Sequence, residues 1–182
     1  EDLGRSNGGT RIRVKAMLAL GIDPGTETTG FALVEENDQG AIKAIDFGVI
    51  KTSSQLTDEK RLQIIYNELT RIISLHRPVT GAVEKLFFQK NVTNAMTVGQ
   101  ARGVILLAMA NAGIEIGEYS PQQVKQAVTG YGAADKRQVQ IMVQTMLSLP
   151  EIPKPDDAAD ALAVAICHIH SIGYKNRMEP GQ

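Results

Sequence analysis

Residues 16–22 form an unbroken apolar run, Ala16-Met17-Leu18-Ala19-Leu20-Gly21-Ile22, which stops at Asp23-Pro24-Gly25. A run this short, apolar at both alternating positions, fits a central strand covered on both faces. Such a strand needs neighbours on either side and helices above and below, and the rest of the chain supplies them. Phe31-Ala32-Leu33-Val34 reads as a second strand, and Asp38, Gln39 and Gly40 as a hairpin turn. Residues 41–50 read as a third strand, apolar at Ile42, Ala44, Phe47 and Val49, with a break in alternation near Asp46 that leaves its register open. Short links make these three strands antiparallel neighbours.

The period then changes. Leu62, Ile65, Leu69, Ile72 and Ile73 recur at helical spacing over 56–76, and Pro78 ends that helix. Residues 79–83 predict a strand that ends in Glu84. A helix over 92–112 follows, rich in small residues, and then a strand at 114–116. Ser120-Pro121-Gln122-Gln123 and Asp135-Lys136-Arg137-Gln138 are two helix-start boxes. Pro150, Pro153 and Pro155 stiffen the link to a last helix running from about 157 to 172. The order β-β-β-α-β-α-β-α-α-α predicts an α/β fold. Its mixed five-stranded sheet has three antiparallel opening strands followed by parallel ones, with helices on its faces.

With 182 residues, 43% hydrophobic and 21% charged, the chain suits one folded domain. The reading is one folded domain at 16–173, a flexible extension at 1–15 and a flexible tail at 174–182. The first residues lack both Met and an apolar core, so they read as a cleaved or truncated extension and not a signal peptide. No window is apolar enough for a membrane span. The single cysteine, Cys167, excludes an internal disulfide and a thiolate zinc cluster, and the expected compartment is the reducing cytoplasm. His76, His168 and His170 do not make a zinc site, and His168 reads as a packing or hydrogen-bonding residue.

The net charge of −1 does not announce a nucleic-acid partner. The distribution is more telling. Asp23 and Glu84 each end a predicted strand, where open α/β sheets place ligands. Asp157 and Asp160 share one face at the start of the last helix, with Asp156 beside them as a possible N-cap. Singly, each has a plainer reading: Asp23 as a turn residue, and Asp157 and Asp160 as acids favoured by the helix dipole. Glu84 is harder to explain away, because an acid directly after an apolar strand is costly unless solvated or paired. Together, four carboxylates without a cysteine or histidine cluster suit hard magnesium or manganese. Two such ions about 4 Å apart can activate a water and stabilise a leaving oxygen in phosphoryl displacement.

Phe87 and Phe88, half of the chain's four Phe, follow Glu84 and are flanked by Lys85 and Lys90. An aromatic there could wedge between bases or stack on them, though core and loop-capping roles remain open. Lys125, Lys136 and Arg137 sit at or near helix starts. Positive charge there opposes the dipole, so a bound phosphate is one reason for it and a solvated helix face is another.

The stretches GIDPGTETTG at 21–30, VEKLFFQKN at 83–91, GQARGV at 99–104, EYSPQQVKQAVTGYGAADKRQVQ at 118–140 and DDAADALAVAICH at 156–168 closely resemble the RuvC family of Holliday junction resolvases. That family belongs to the ribonuclease-H-like superfamily. The first stretch alone is also similar to sugar-kinase and actin-like ATPases, which need two such domains. The resemblance implies a ribonuclease-H-like fold and Asp23, Glu84, Asp157 and Asp160 as catalytic acids. It implies Phe87 as the aromatic entering the junction and Lys125 and Lys136 near the scissile backbone. It further implies a magnesium-dependent homodimer that nicks two opposed strands of a four-way DNA junction, leaving 5′-phosphate and 3′-hydroxyl ends, alongside the RuvA-RuvB branch-migration complex. Residues 1–16 fall outside the stretches that carry the resemblance. Spacing alone does not distinguish junction DNA from another nucleic acid, and a hybrid-cutting nuclease or a junction-binding protein are the rivals.

Overall fold

The computed structural model describes residues 16–86 and 92–178. The elements follow the expected order: β1 Met17–Asp23, β2 Thr28–Glu36, β3 Ile42–Lys51, α1 Asp58–His76, β4 Thr80–Glu84, α2 Val92–Asn111, β5 Glu115–Tyr119, α3 Pro121–Thr129, α4 Lys136–Met146 and α5 Asp156–Met178. The sheet order is β3-β2-β1-β4-β5. β1, β2 and β3 pair antiparallel, whereas β1 with β4 and β4 with β5 pair parallel.

Four local outcomes refine the sequence reading. β2 extends beyond 31–34 at both ends, because Thr28 and Glu36 find ladder partners in β3. The break near Asp46 is a β-bulge: Val34 faces Ala44 and Leu33 faces Asp46, which leaves Ile45 unpaired and 41% exposed. β5 begins and ends later than 114–116, because its ladder with β4 carries on to Glu84 and Tyr119. α5 runs past 172 to Met178. Both expected capping boxes form, at Ser120 and at Asp135. Among the described residues no helix is long and apolar enough to cross a membrane.

β1 is central and its two faces divide the core. Leu20 and Ile22 join the cluster under α1 and α2, whereas Ala19 joins the cluster under α3, α4 and α5. By the two-residue alternation of a strand, Gly21 and Asp23 share the Ala19 face. In β4, Val83 packs with α1 and α2 and Ala82 with α5, so Glu84 also belongs to the α5 face. The same face of β2 carries Gly30, Ala32 and Val34.

α5 lies unusually close to that face. A Cβ added at Gly21 would strike the backbone oxygen of Ala161 and come within 2.6 Å of the backbone nitrogen of Ala165. One added at Gly30 would fall on the backbone oxygen of Asp157. The inner surface of α5 is correspondingly small, with Ala158, Ala161 and Ala165 all buried. Gly21→Ala is therefore expected to destabilise the protein by about 1–3 kcal/mol, the usual cost of overpacking against atoms that cannot move aside. Denaturant unfolding would show this, and an unchanged midpoint would contradict the close approach.

Candidate active site

The parallel register of β1 on β4 sets Gly21 beside Ala82 and Ile22 beside Val83. One step further, Asp23 and Glu84 come level at the carboxyl ends of neighbouring strands. α5 begins above them. Asp23 pairs with Gly30 across β2, and Gly30 meets the Asp157 backbone. At the far end of β4, Thr80 Oγ1 lies 2.7 Å from His168 Nε2, and Tyr119 OH of β5 lies 3.0 Å from His168 Nδ1. From His168 back to Asp160 the helix covers about 12 Å. From Thr80 to Glu84 the strand covers about 13 Å. Fixing His168 over Thr80 thus brings Asp160 over Glu84. The buried histidine has the hydrogen-bonding role expected of it.

The electrostatics agree with this placement. Asp23 is pushed up to about 8, first by burial and then by the charges of Glu84, Asp160 and Asp157. Glu84 is pushed up to about 7 by burial and by Asp160, with Lys125 pulling the other way. Burial also raises Asp160 against the opposing pull of Lys136. All four predicted acids therefore act on one space. Among the described residues, however, no three acids, histidines or cysteines are drawn together tightly enough to hold a metal ion as they stand.

A cleft of about 230 Å³ opens beside the acids, lined by Glu84, Lys125, Lys136 and Asp160 together with Pro121, Val124, Val139 and Ala163. α3 and α4 thus bring the two predicted lysines to the acids. Lys136, the first residue of α4, reaches across to α5, with its Nζ 3.0 Å from Asp156 Oδ2 and 3.3 Å from Asp160 Oδ2. These carboxylates offset the unfavourable position of a cation at a helix start. Burial works to lower the Lys136 pKa, but the hydrogen bond to Asp156 and the charge of Asp160 outweigh it and the ammonium is held more firmly.

Asp156 is not an N-cap. It is the first residue of α5, and its carboxylate is engaged by Lys136 and by Gln140 Nε2 at 3.0 Å. Arg137 is exposed and does not line the cleft. Lys85 is exposed just beyond Glu84, and its backbone N–H donates to the Tyr119 carbonyl. Phe87, Phe88 and Lys90 lie outside the described residues. Gln140 escapes sequence reasoning. Its only signal is a polar residue on the stripe that also carries the buried Val139 and Val143.

A profile described as crossover junction endodeoxyribonuclease RuvC matches residues 19–168. This chain belongs to the RuvC family. A crossover junction endodeoxyribonuclease RuvC of Roseiflexus sp. (strain RS-1) is 54% identical over 92% of this chain and 99% of the relative. One of Heliobacterium modesticaldum is 56% identical over 87% of this chain and 97% of the relative. The structure of T. thermophilus RuvC in complex with a Holliday junction substrate superposes with a TM-score of 0.81 at 36% identity, covering 89% of this chain and 96% of that one. The mixed five-stranded sheet is thus the RuvC fold.

Membership of the RuvC family implies dependence on a divalent metal, and the residues present fit one. The donor set is all carboxylate oxygen, as hard cations require. The charges of neighbouring acids also raise the proton affinity of Asp23 and Glu84, a penalty that a bound cation removes. Carboxylates whose pKa rises on folding contribute stability while protonated and lose it as pH climbs toward the folded value. Without metal, thermal stability is therefore expected to fall between about pH 4 and about pH 8, the span over which Asp23 is displaced. Asp23→Asn should flatten much of that slope, and millimolar divalent cation should restore stability at the alkaline end. A flat metal-free profile in calorimetry would contradict the shared site.

Proposed function

We propose that this cleft is the active centre of a structure-selective endonuclease, one that resolves four-way (Holliday) DNA junctions by paired symmetric nicks. The observation that carries the proposal is the level placement of Asp23 and Glu84 beneath the start of α5, with Lys125 and Lys136 on the cleft wall. Membership of the RuvC family supports the choice of substrate, since relatives over nearly the whole chain are named crossover junction endodeoxyribonucleases.

Asp23, Glu84, Asp157 and Asp160 would hold two Mg2+ ions, and Mn2+ would substitute because it takes the same oxygen ligands. Bound there, the ions supply Lewis-acid activation of a water and stabilisation of the leaving oxygen. The chain's own contribution is to bring four acids to one place, where a bound cation would favour their anionic forms, and to set two ammonium groups beside them. Lys125 and Lys136 would grip the oxygens of the scissile phosphate and offset charge that grows during displacement. Water oxygen joins phosphorus as the bond to the 3′ oxygen breaks, which leaves a 5′-phosphate and a 3′-hydroxyl that a ligase can rejoin. Lys85 and Arg137, both exposed outside the cleft, would meet the DNA backbone.

A symmetric junction calls for two sites, and a second copy of the chain is part of the proposal. Met96, Gly99, Gly103 and Leu107 fall on one stripe of α2. Met96 is 67% and Leu107 54% exposed, and nothing lies within 4 Å of a Cβ added at either glycine. That stripe offers a close-packing face for another α2. RuvA-RuvB would deliver the junction, and the cytoplasm is the compartment in which these partners and the chromosome meet.

Asp23→Asn is expected to bind a mobile four-way junction and to cleave it at least about 10²-fold more slowly, since a contribution of several kcal/mol to the barrier is lost. Cleavage at the parental rate would overturn the assignment. Leu107→Glu is expected to sediment as a monomer and to lose paired nicks, and a dimer that still cuts both strands would remove α2 from the interface.

A further inference from the structure

Asp156 stands outside the four acids assigned to metal, yet it has the more defined set of partners. One oxygen accepts from Gln140 Nε2 at 3.0 Å and the other lies 3.0 Å from Lys136 Nζ. Gln140 sits one turn after Lys136 on α4 and is only 8% exposed, so its amide is fixed by packing. Asp156 is therefore anchored on one side and holds an ammonium on the other. Lys136 is at the same time shared with Asp160, 3.3 Å away.

Sharing has a consequence when a divalent cation binds. A carboxylate that turns its lone pairs to a metal ion has less to give an ammonium, and the two cations repel each other. Lys136 must then loosen from Asp160. Its flexible four-carbon stem would let it leave for solvent unless another group retained it. We propose that Asp156, braced by Gln140, is a positioning residue that keeps the Lys136 ammonium at the cleft mouth once a divalent cation takes Asp160. This deepens the functional reading and rests on it for the roles of Asp160 and Lys136. The plainer role of Asp156, an acid in the first turn of α5 that favours the helix dipole, would act without regard to Lys136.

Two measurements on the full chain separate these roles. The first needs no cleavage. The rate at which an amine-reactive acylating reagent modifies Lys136 is followed by peptide mass spectrometry, with and without Mg2+. The parent protein should react slowly in both conditions. Asp156→Ala should react slowly without Mg2+ and distinctly faster with it, because the ammonium then has neither carboxylate to hold it. Asp156→Glu should restore slow reaction. The second is a cycle of kcat values on a four-way junction. Asp156→Ala should lower kcat about tenfold with junction affinity unchanged, and should cost nothing further in a Lys136→Ala background.

A parent protein in which Mg2+ speeds modification equally would overturn the proposal. So would an Asp156→Ala protein with no Mg2+ response, or an Asp156→Ala loss that persists without Lys136. Failure of the functional reading shows separately, as a parent protein that does not cut the junction in Mg2+.

Discussion

Helix α5 comes against β1 and β2 backbone to backbone where those strands lack side chains. Gly21 and Gly30 leave the room, and Ala161 and Ala165 occupy it. The functional chemistry follows from this contact. It sets the height of α5 above the sheet, and it brings the Asp157 backbone against the residue paired with Asp23. The histidine clamp to Thr80 and Tyr119 then fixes the helix along its length. Two strand ends and one helix start, separated by more than 130 residues of chain, come to one place because a helix and a strand climb at nearly matched total rise.

The cost of that arrangement is electrostatic. Four acids act on a half-buried space, and burial together with mutual repulsion lifts Asp23 and Glu84 into the neutral range. A protein gathers like charges in this way when an external cation belongs among them. Lys136 is an internal cation at the site, bridging Asp156 and Asp160. The acids are not closed into a finished cage among the described residues. The carboxylates are thus arranged around a shared space, and a bound cation would supply the remaining attraction.

Much of this was legible in the sequence, because the determining patterns are local. The two-residue period of the strands, the apolar spacing of α1, and the boxes at Ser120 and Asp135 each stand within one element. The strand ends at Asp23 and Glu84 were legible for the same reason. What escaped depends on contacts between elements. The bulge at Ile45 is a property of two strands in register. β5 continues to Tyr119 because β4 lies beside it, although its own residues 117–119 show little strand pattern. Asp156 reads as a cap until Lys136 and Gln140 are seen to engage it. Gln140 carries no role legible in the sequence until α4, docked on α5, buries it beside Asp156.

The most direct test is crystallographic. Crystals soaked in Mn2+ and measured at its absorption edge should show anomalous density bounded by the carboxylates of Asp23, Glu84, Asp157 and Asp160, with Lys136 Nζ displaced from Asp160. Anomalous density confined to other carboxylates, or none at all at millimolar Mn2+ near pH 8, would contradict the claim that these acids form one cation site.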